Sequence, residues 1–433
     1  MNLLKENGYF GYIIPSKFTK VGAGEKLREL LSTEKVIRKI ISFGANQVFE
    51  DKTTYTSILI LSKSKNNSFS NTEIKKLSEW KIRDLHSIIS EEVETTKLSS
   101  DLWFLIPPFL KETYNHIIKQ SQNLEDVIGK KYVNNGIQTS ANDVLILKPL
   151  KEDNDFIYFE KKNISYKIEK GVLKPYYETE RKKDGLKLNT YRTLIPNAKV
   201  IFPYKIIKGK AVFIPINELK KNFPFAYKYL LTNKTRLTER DIQPVPKTND
   251  EWYRLGRSQY LELGAIKEKI IIGVMSSGEK YPIDFSKTLH TAGGTAGYCS
   301  IYLSDKSQYS IYYIQAILNS RYVEWLIHLR GEVFRGGYIS RGTKVLRKTP
   351  IRTIDFTNKI DKSIHDKIVS LQKELISIQG KIDNNIGNAR KLVPLNRQFI
   401  NKKAEMDDTL KILYNLGESD NLIPTISDMY AIN

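Results

Sequence analysis

The sequence predicts three architectures in succession: the closing strands of a doubly wound α/β sheet, a mixed α+β domain, and a C-terminal helical hairpin. Three observations predict them. Residues 1–63 run strand, helix, strand, strand, with short connections. Residues 130–352 alternate short, tyrosine-studded β runs with glycine-containing loops and occasional helical spacing. Beyond residue 353, apolar side chains recur at mixed three- and four-residue intervals, the mark of an amphipathic helix.

The bulk numbers bound the function. At 433 residues the chain is long enough for two or three domains, and 40% hydrophobic with 27% charged residues is ordinary for a globular protein. Lysine and arginine number 69 against 48 acids, a net charge of +21 that points to a polyanionic partner, nucleic acid first. A Lys-rich composition by itself is the plainer source of such an excess. Cys299 is the single cysteine, so internal disulfides are excluded and a reducing cytoplasm is expected. No apolar run reaches membrane-spanning length, and residues 1–30 lack a signal-peptide core.

In the first segment, GYFGYIIP (Gly8 to Pro15) reads as a buried strand inside a parallel sheet. Leu27, Leu30 and Leu31 mark a helix, and Val36 to Phe43 and Thr54 to Ser62 two further strands. No glycine-rich nucleotide loop opens the chain, so the sheet is expected to be completed by another polypeptide or to have lost its front half. Ser62 to Thr72 is polar and rich in breakers, a loop or linker, and Ser100 to Lys111 is an aromatic docking segment. The expected divisions are 1–63, 64–129, 130–352 and 353–433.

ENGYFGYIIPSKF, KLRELL and ISFGANQVFEDKTTYTSILIL together resemble the end of the catalytic domain in TaqI-like adenine-N6 DNA methyltransferases and related type IIG restriction–modification enzymes. The resemblance implies that Phe49 stacks against an adenine rotated out of the duplex, with Lys52 and Thr53 near the target strand. It also implies an Asn/Asp-Pro-Pro-Tyr/Phe tetrapeptide and a loop for S-adenosylmethionine. Neither is found: Ile106-Pro107-Pro108-Phe109 carries an isoleucine that cannot hydrogen-bond and follows the strands it should precede. The chain alone is therefore expected not to methylate and to have no catalytic residue. S-adenosylmethionine enters only if an N-terminal half completes it.

The resemblance continues through GIxTxxNDVxxL, the WYRLGRSQ motif, and the order of parts ending in RKTPIR. It covers roughly residues 130–352 as a target-recognition domain. Gly136, Thr139, Ser140, Asn142 and Asp143 form a loop of amide and hydroxyl groups suited to phosphates or bases, or a plain hairpin turn. Arg254 and Arg257 share a helix face if that motif is helical. Tyr312 to Leu329 reads as one helix delivering the chain to IHLRGEVFRGGYISRGTKVLRKTPIR. That stretch sets Arg330, Arg335, Arg341, Lys344, Arg347, Lys348 and Arg352 against the single acid Glu332, with glycines and Phe334 and Tyr338 between them. Arginine forks on a permissive backbone suit a DNA-reading surface, and a solvated basic loop is the bland equivalent. The candidate DNA contacts are Arg335, Tyr338, Arg341, Lys344 and Arg347, then Arg254, Arg257, Lys280 and Thr295, with Asn142, Lys52 and Thr53.

Ile360 to Ile382 and Phe399 to Leu416 form the expected hairpin, interrupted at Gly387 and Pro394. The five histidines show no metal-ligand spacing, and no nuclease or Walker signature is present. The expected function is duplex DNA binding as the specificity part of an adenine-N6 methyltransferase or restriction–modification system. A split or partial active methyltransferase is the alternative, and an RNA-binding or scaffolding protein a third.

Overall fold

A computed structural model describes residues 3–44, 46–49, 54–74, 77–81, 90–106, 110–178, 188–257, 260–292, 297–331, 334 and 338–430. The first unit is a five-stranded sheet of β1 (Tyr9–Pro15), β2 (Ile37–Ser42), β3 (Thr56–Ser62), β4 (Ser68–Glu73) and β5 (Ser90–Glu94) in the order β1-β3-β2-β4-β5. Helix α1 (Glu25–Glu34) connects β1 to β2. Ile37, Ile40, Leu59 and Leu61 bury against Leu31, Phe69 and Trp103, and the indole meets Phe18 edge-on at 5.9 Å. Trp103 of the aromatic segment thus packs on this sheet. Arg28 is buried beneath it, donating to the carbonyls of Ser100, Phe18 and Val21 at 3.0, 2.5 and 2.7 Å.

Two expectations for this unit give way. The sheet is mixed rather than parallel: β1 pairs antiparallel with β3 along one edge, β3 antiparallel with β2, and β2 parallel with β4. The stretch 62–72, read as a loop, contains β4. Its Ser/Asn/Thr composition hides the strand because only Phe69 and Thr72 turn inward, while the backbone pairs with β2 and β5 on either side.

The second unit holds two four-stranded sheets. One orders β12 (Leu289–His290), β8 (Leu173–Tyr177), β9 (Ala198–Ile201) and β7 (Ile146–Leu147). The other orders β11 (Ile283–Asp284), β10 (Lys269–Gly273), β13 (Tyr298–Ile301) and β6 (Val133–Asn135). Every residue of β10 and β13 is buried, including Lys269, whose ammonium pairs with the equally buried Asp284 at 2.7 Å. The predicted single helix over 312–329 is two, α2 (Ile311–Leu318) and α3 (Arg321–Arg330). Ser320 breaks them: its backbone is extended and its hydroxyl accepts from the Val323 N–H at 3.3 Å, an N-cap.

The tail is an antiparallel pair, α4 (Lys359–Asp383) and α5 (Ala389–Tyr414). Ile368, Leu371 and Leu375 of α4 and Met406, Leu410 and Leu413 of α5 join the core around α2 and α3, and Tyr414 stacks on Tyr322 at 4.2 Å. Gly387, at φ +95°, makes the turn as expected. Pro394 does not interrupt the helix. It sits near the N-terminal end of α5, where one missing N–H leaves the rest of the ladder intact.

Candidate nucleic-acid interface

Phe49 is presented by a loop with a fixed base. After β2, Phe43 packs edge-on against Trp80 at 5.3 Å and Gly44 turns with φ +54°. The Asn46 amide donates to the carbonyls of Phe43 at 2.8 Å and Ile74 at 2.9 Å, tying the loop to the end of β4. Val48 packs inward against Ile41, Phe43 and Ile74, and Phe49 is left 44% exposed. Its ring is therefore open to a stacking partner. Lys52 and Thr53 lie outside the described residues.

The basic stretch divides its cations between structure and surface. Gly331 closes α3 so tightly that an added Cβ would stand 2.3 Å from the Ile339 side chain. Ile339–Ser340 then pairs with Met275–Ser276 and leads Arg341 into the core. Arg341 is fully buried. It grips both oxygens of the equally buried Glu324 at 2.8 and 2.9 Å and donates to the Tyr281 hydroxyl at 2.6 Å, which itself donates to Glu324 at 2.5 Å. Its expected place at the DNA surface is corrected: a carboxylate buried on α3 takes the guanidinium as a bidentate partner. Arg347 is half-buried, donating to the Val133 carbonyl at 2.7 and 3.2 Å. Arg352 donates to the Leu413 carbonyl at 3.2 Å, and Lys348 pairs with Glu125 at 2.6 Å. Tyr338 and Lys344 remain exposed, and Arg335 lies outside the described residues.

The fold brings this stretch onto the first unit. Phe334 meets Tyr55 edge-on at 6.2 Å and carries the Lys17 ammonium over its ring at 4.9 Å. Lys20 donates to the Gly331 carbonyl at 3.2 Å, and Arg330 lies over Phe104 at 5.1 Å. Between the units opens a cleft of about 810 Å³, with Lys20, Arg330, Lys344 and Lys348 as cations against the acid Asp101, and Asn123 and Asn135 as amides. A smaller cavity of about 290 Å³ runs under Tyr55, with Ser42, Asn71, Glu73 and His328 on its walls. Burial pushes the His328 imidazole down to about 4. Lys17 and Lys20 were not singled out from the sequence, and Arg330 was counted in the basic stretch without being ranked among the candidate contacts. Lys17 and Lys20 flank Phe18 in SKFTK, a short basic motif between strand and helix whose role depends on a contact some three hundred residues away.

A second surface collects Asn142 and Arg257. Arg257 donates its backbone N–H to the Gln138 carbonyl at 3.0 Å, and the exposed Asn142 accepts from the Thr139 hydroxyl. Arg240, buried so that its guanidinium is lowered to about 10, stitches the two loops by donating to the carbonyls of Thr139, Trp252 and Arg254. Arg257 pairs with Asp241 at 2.8 Å in solvent. Arg254 lies in a turn, not a helix, with its side chain only 12% exposed and bonded to Glu251 at 2.7 Å. Lys280 is half-buried, and Thr295 lies outside the described residues.

A seat for S-adenosylmethionine in such a sheet has a defined geometry. Nucleoside cofactors sit at the carboxyl ends of adjacent parallel strands joined through a glycine turn and helix. Here β2 and β4 are the adjacent parallel pair, and the chain between them passes through the antiparallel β3. The described residues do not fit that group. Nor do they hold a His/Cys/Asp/Glu cluster fit for a metal, or a helix long and apolar enough to cross a membrane.

Comparison with known proteins places this geometry. The Eco57I restriction-modification methylase family matches residues 1–49. Over 436 residues the chain is 43% identical to the type II restriction enzyme and methyltransferase RM.Eco57I of Escherichia coli, covering 99% of this chain and 43% of that protein. It is 24% identical to the type II methyltransferase M.HincII of Haemophilus influenzae, over 86% of this chain and 68% of the other. The solved structure of the type IIL restriction–modification enzyme MmeI in complex with DNA aligns over 99% of this chain and 50% of that one. Its TM-score of 0.50 at 9% identity is a likeness of fold. This chain, which spans less than half the length of RM.Eco57I, is a relative of the type II restriction–modification methyltransferases.

Proposed function

We propose that this chain is the specificity part of an adenine-N6 DNA methyltransferase or restriction–modification system. It binds duplex DNA across the cleft between its two units and presents Phe49 to an extruded base. The observation that carries the proposal is the Tyr55–Phe334 contact beside the basic cleft. It joins the loop bearing Phe49 to the glycine–arginine stretch, two segments the sequence marked separately. Lysine and arginine contacts to phosphate supply affinity without sequence information, and Tyr338, Asn142 and Arg257 are the base-reading candidates.

Catalysis is assigned to a second polypeptide bearing the cofactor loop and the Pro-Pro tetrapeptide. Support comes from β1, an edge strand on which Tyr9, Phe10, Tyr12 and Ile13 are all exposed while Ile14 is buried. A free, apolar strand edge invites another strand. Strong hydrogen-exchange protection of both edges of residues 8–62 in a monomer would contradict a missing partner. The second reading, an active methyltransferase of which this chain is one part, is favoured by its 43% identity to a protein that is both restriction enzyme and methyltransferase.

The test is anisotropy on labelled duplex DNA across a salt series, beside a labelled-methyl transfer assay. The isolated chain is expected to bind duplex with steeply salt-dependent affinity and to transfer no methyl groups. Phe49→Ala is expected to lose ~1–3 kcal/mol on duplexes carrying an unpaired adenine, the worth of one stacked base, and little on paired ones. Tight binding to single-stranded RNA with none to duplex would end the proposal.

A further inference from the structure

The recognition cleft leaves unexplained the basic end of the helical hairpin. From Asn384 to Ala404 the chain carries Arg390, Lys391, Arg397, Lys402 and Lys403 and no Asp or Glu. Lys402 is held by Glu374 and Glu405, each at 3.0 Å, and Lys403 by Glu279. Those two belong to the hairpin's attachment. Arg390, Lys391 and Arg397, with Lys381 on the facing helix, are exposed and have no side-chain partner among the described residues. Asp383, the nearest acid, is engaged by Arg192 at 2.7 Å through both of its oxygens.

The arrangement on α5 is one-sided. At 100° per residue, Leu392, Leu395 and Phe399 turn toward the body, and Phe399 meets Tyr191 edge-on at 5.1 Å. Arg390, Pro394, Arg397 and Asn401 fall on the opposite face, with the exposed Val393 and Ile400 along its margin. Helix stability does not account for these cations. Arg390 and Lys391 stand in the first turn of α5, the end at which the helix dipole disfavours positive charge, and that turn has no acid. Local choices that oppose the structure they sit in mark places kept for an external partner.

We infer that the outer face of this arm is a second contact for duplex DNA, gripping phosphates outside the recognition cleft. The inference rests on the DNA-binding function proposed above and adds a separate surface to it. The partner is identified by charge complementarity: the guanidiniums of Arg390 and Arg397 share this face with the exposed Asn401 amide, the exposed Lys391 stands at its edge beside Arg390, and residues 384–404 contain no acid to repel phosphate. Such a contact is sequence-independent. It lengthens the occupied duplex and raises affinity without changing which bases are preferred.

The experiment titrates the full chain with a random-sequence duplex across a range of salt, comparing wild type with the triple variant Arg390→Ala, Lys391→Ala, Arg397→Ala. Each phosphate contact contributes about 0.9 to the slope of log affinity against log salt, so the triple variant is expected to lose about two to three from that slope. Its unfolding midpoint should not fall below the wild-type value, since the three side chains make no hydrogen bond or ion pair among the described residues. A double Arg390→Lys, Arg397→Lys variant should retain most of the slope, because phosphate responds to charge. A triple variant with wild-type slope and footprint overturns the arm contact alone and leaves this face to an acidic protein surface. Failure of the wild-type chain to bind any duplex overturns the proposed function and the arm contact together.

Discussion

The glycine-rich segment 327–352 and the end of the helical hairpin are both conspicuously basic, and they use that charge in opposite ways. In the first, Arg341 disappears into the core, Arg347 and Arg352 hold backbone carbonyls, and Lys348 holds Glu125. In the second, Arg390, Lys391 and Arg397 hold nothing among the described residues. Counting cations along the chain ranks the first segment higher as a DNA surface; asking what each cation touches moves weight toward the second. A guanidinium is as good an internal clamp as it is a phosphate ligand, and a neighbouring buried carboxylate decides between the two.

The largest expected effect tests that division. Arg341→Ala strands Glu324 at zero exposure, and removing one partner of a buried pair is worth about 3–5 kcal/mol of stability. The denaturation midpoint should drop accordingly, whatever happens to DNA affinity. Replacing both partners by apolar residues of similar volume should recover much of the loss. A variant with the wild-type midpoint and weakened DNA binding would return Arg341 to the surface role its sequence context suggests.

This contrast also explains what was legible in the sequence. The amphipathic hairpin and the strands β1, β2 and β3 of the first unit stood out because periodicity is a local property of the chain. The strand β4 did not, since hydrogen bonds to β2 and β5 hold a segment whose side chains are mostly polar. The break at Ser320 was legible in principle: a serine before an apolar run is an N-cap signal, overridden here by continuous helical spacing on both sides. Phe49 was singled out by its motif and is exposed in the structure. Lys17 and Lys20 escaped notice, and Arg330 was counted in the basic stretch without being ranked as a contact, because the cavities they line exist only once the two units meet. Arg341 was misplaced for the converse reason, its partner Glu324 being a whole helix away in the chain.

A smaller effect separates the two units by pH. Burial holds His290 at about 3, with Lys269 adding to the depression, and holds His328 at about 4. Both values lie below the ordinary 6.5, so the fold favours the neutral rings. Their contribution is complete above pH 6.5 and is withdrawn as pH falls toward 4 and then 3, where the unfolded chain binds protons the native state refuses. Each histidine should remove about 1 kcal/mol per pH unit across the middle of that range. His290 lies in the second unit at the end of β12, whereas His328 faces the cavity under Tyr55, where the units meet. His328→Gln should flatten the acid limb of the stability curve while leaving it unchanged above pH 7. A curve identical to wild type at pH 5 would mean that His328 is protonated in the native state.

The smallest effect sharpens the comparison inside the cleft itself. Lys344 and Lys348 are one turn apart on the cleft wall, both exposed, and differ in a single respect. Lys344 has no ion-pair partner among the described residues. Lys348 is bonded to Glu125 at 2.6 Å, which holds the carboxyl below and the ammonium above their ordinary values. A phosphate reaching Lys348 must displace Glu125, so much of what it gains is lost with the existing pair. One reaching Lys344 displaces only water and counterions. Lys344→Ala should therefore lower the salt slope of duplex binding by about one, and Lys348→Ala by less. Glu125→Gln should move the other way, freeing Lys348 and removing a charge that repels phosphate. Equal slopes for Lys344→Ala, Lys348→Ala and wild type would remove the cleft from the DNA path and leave binding to the arm and the Asn142–Arg257 surface.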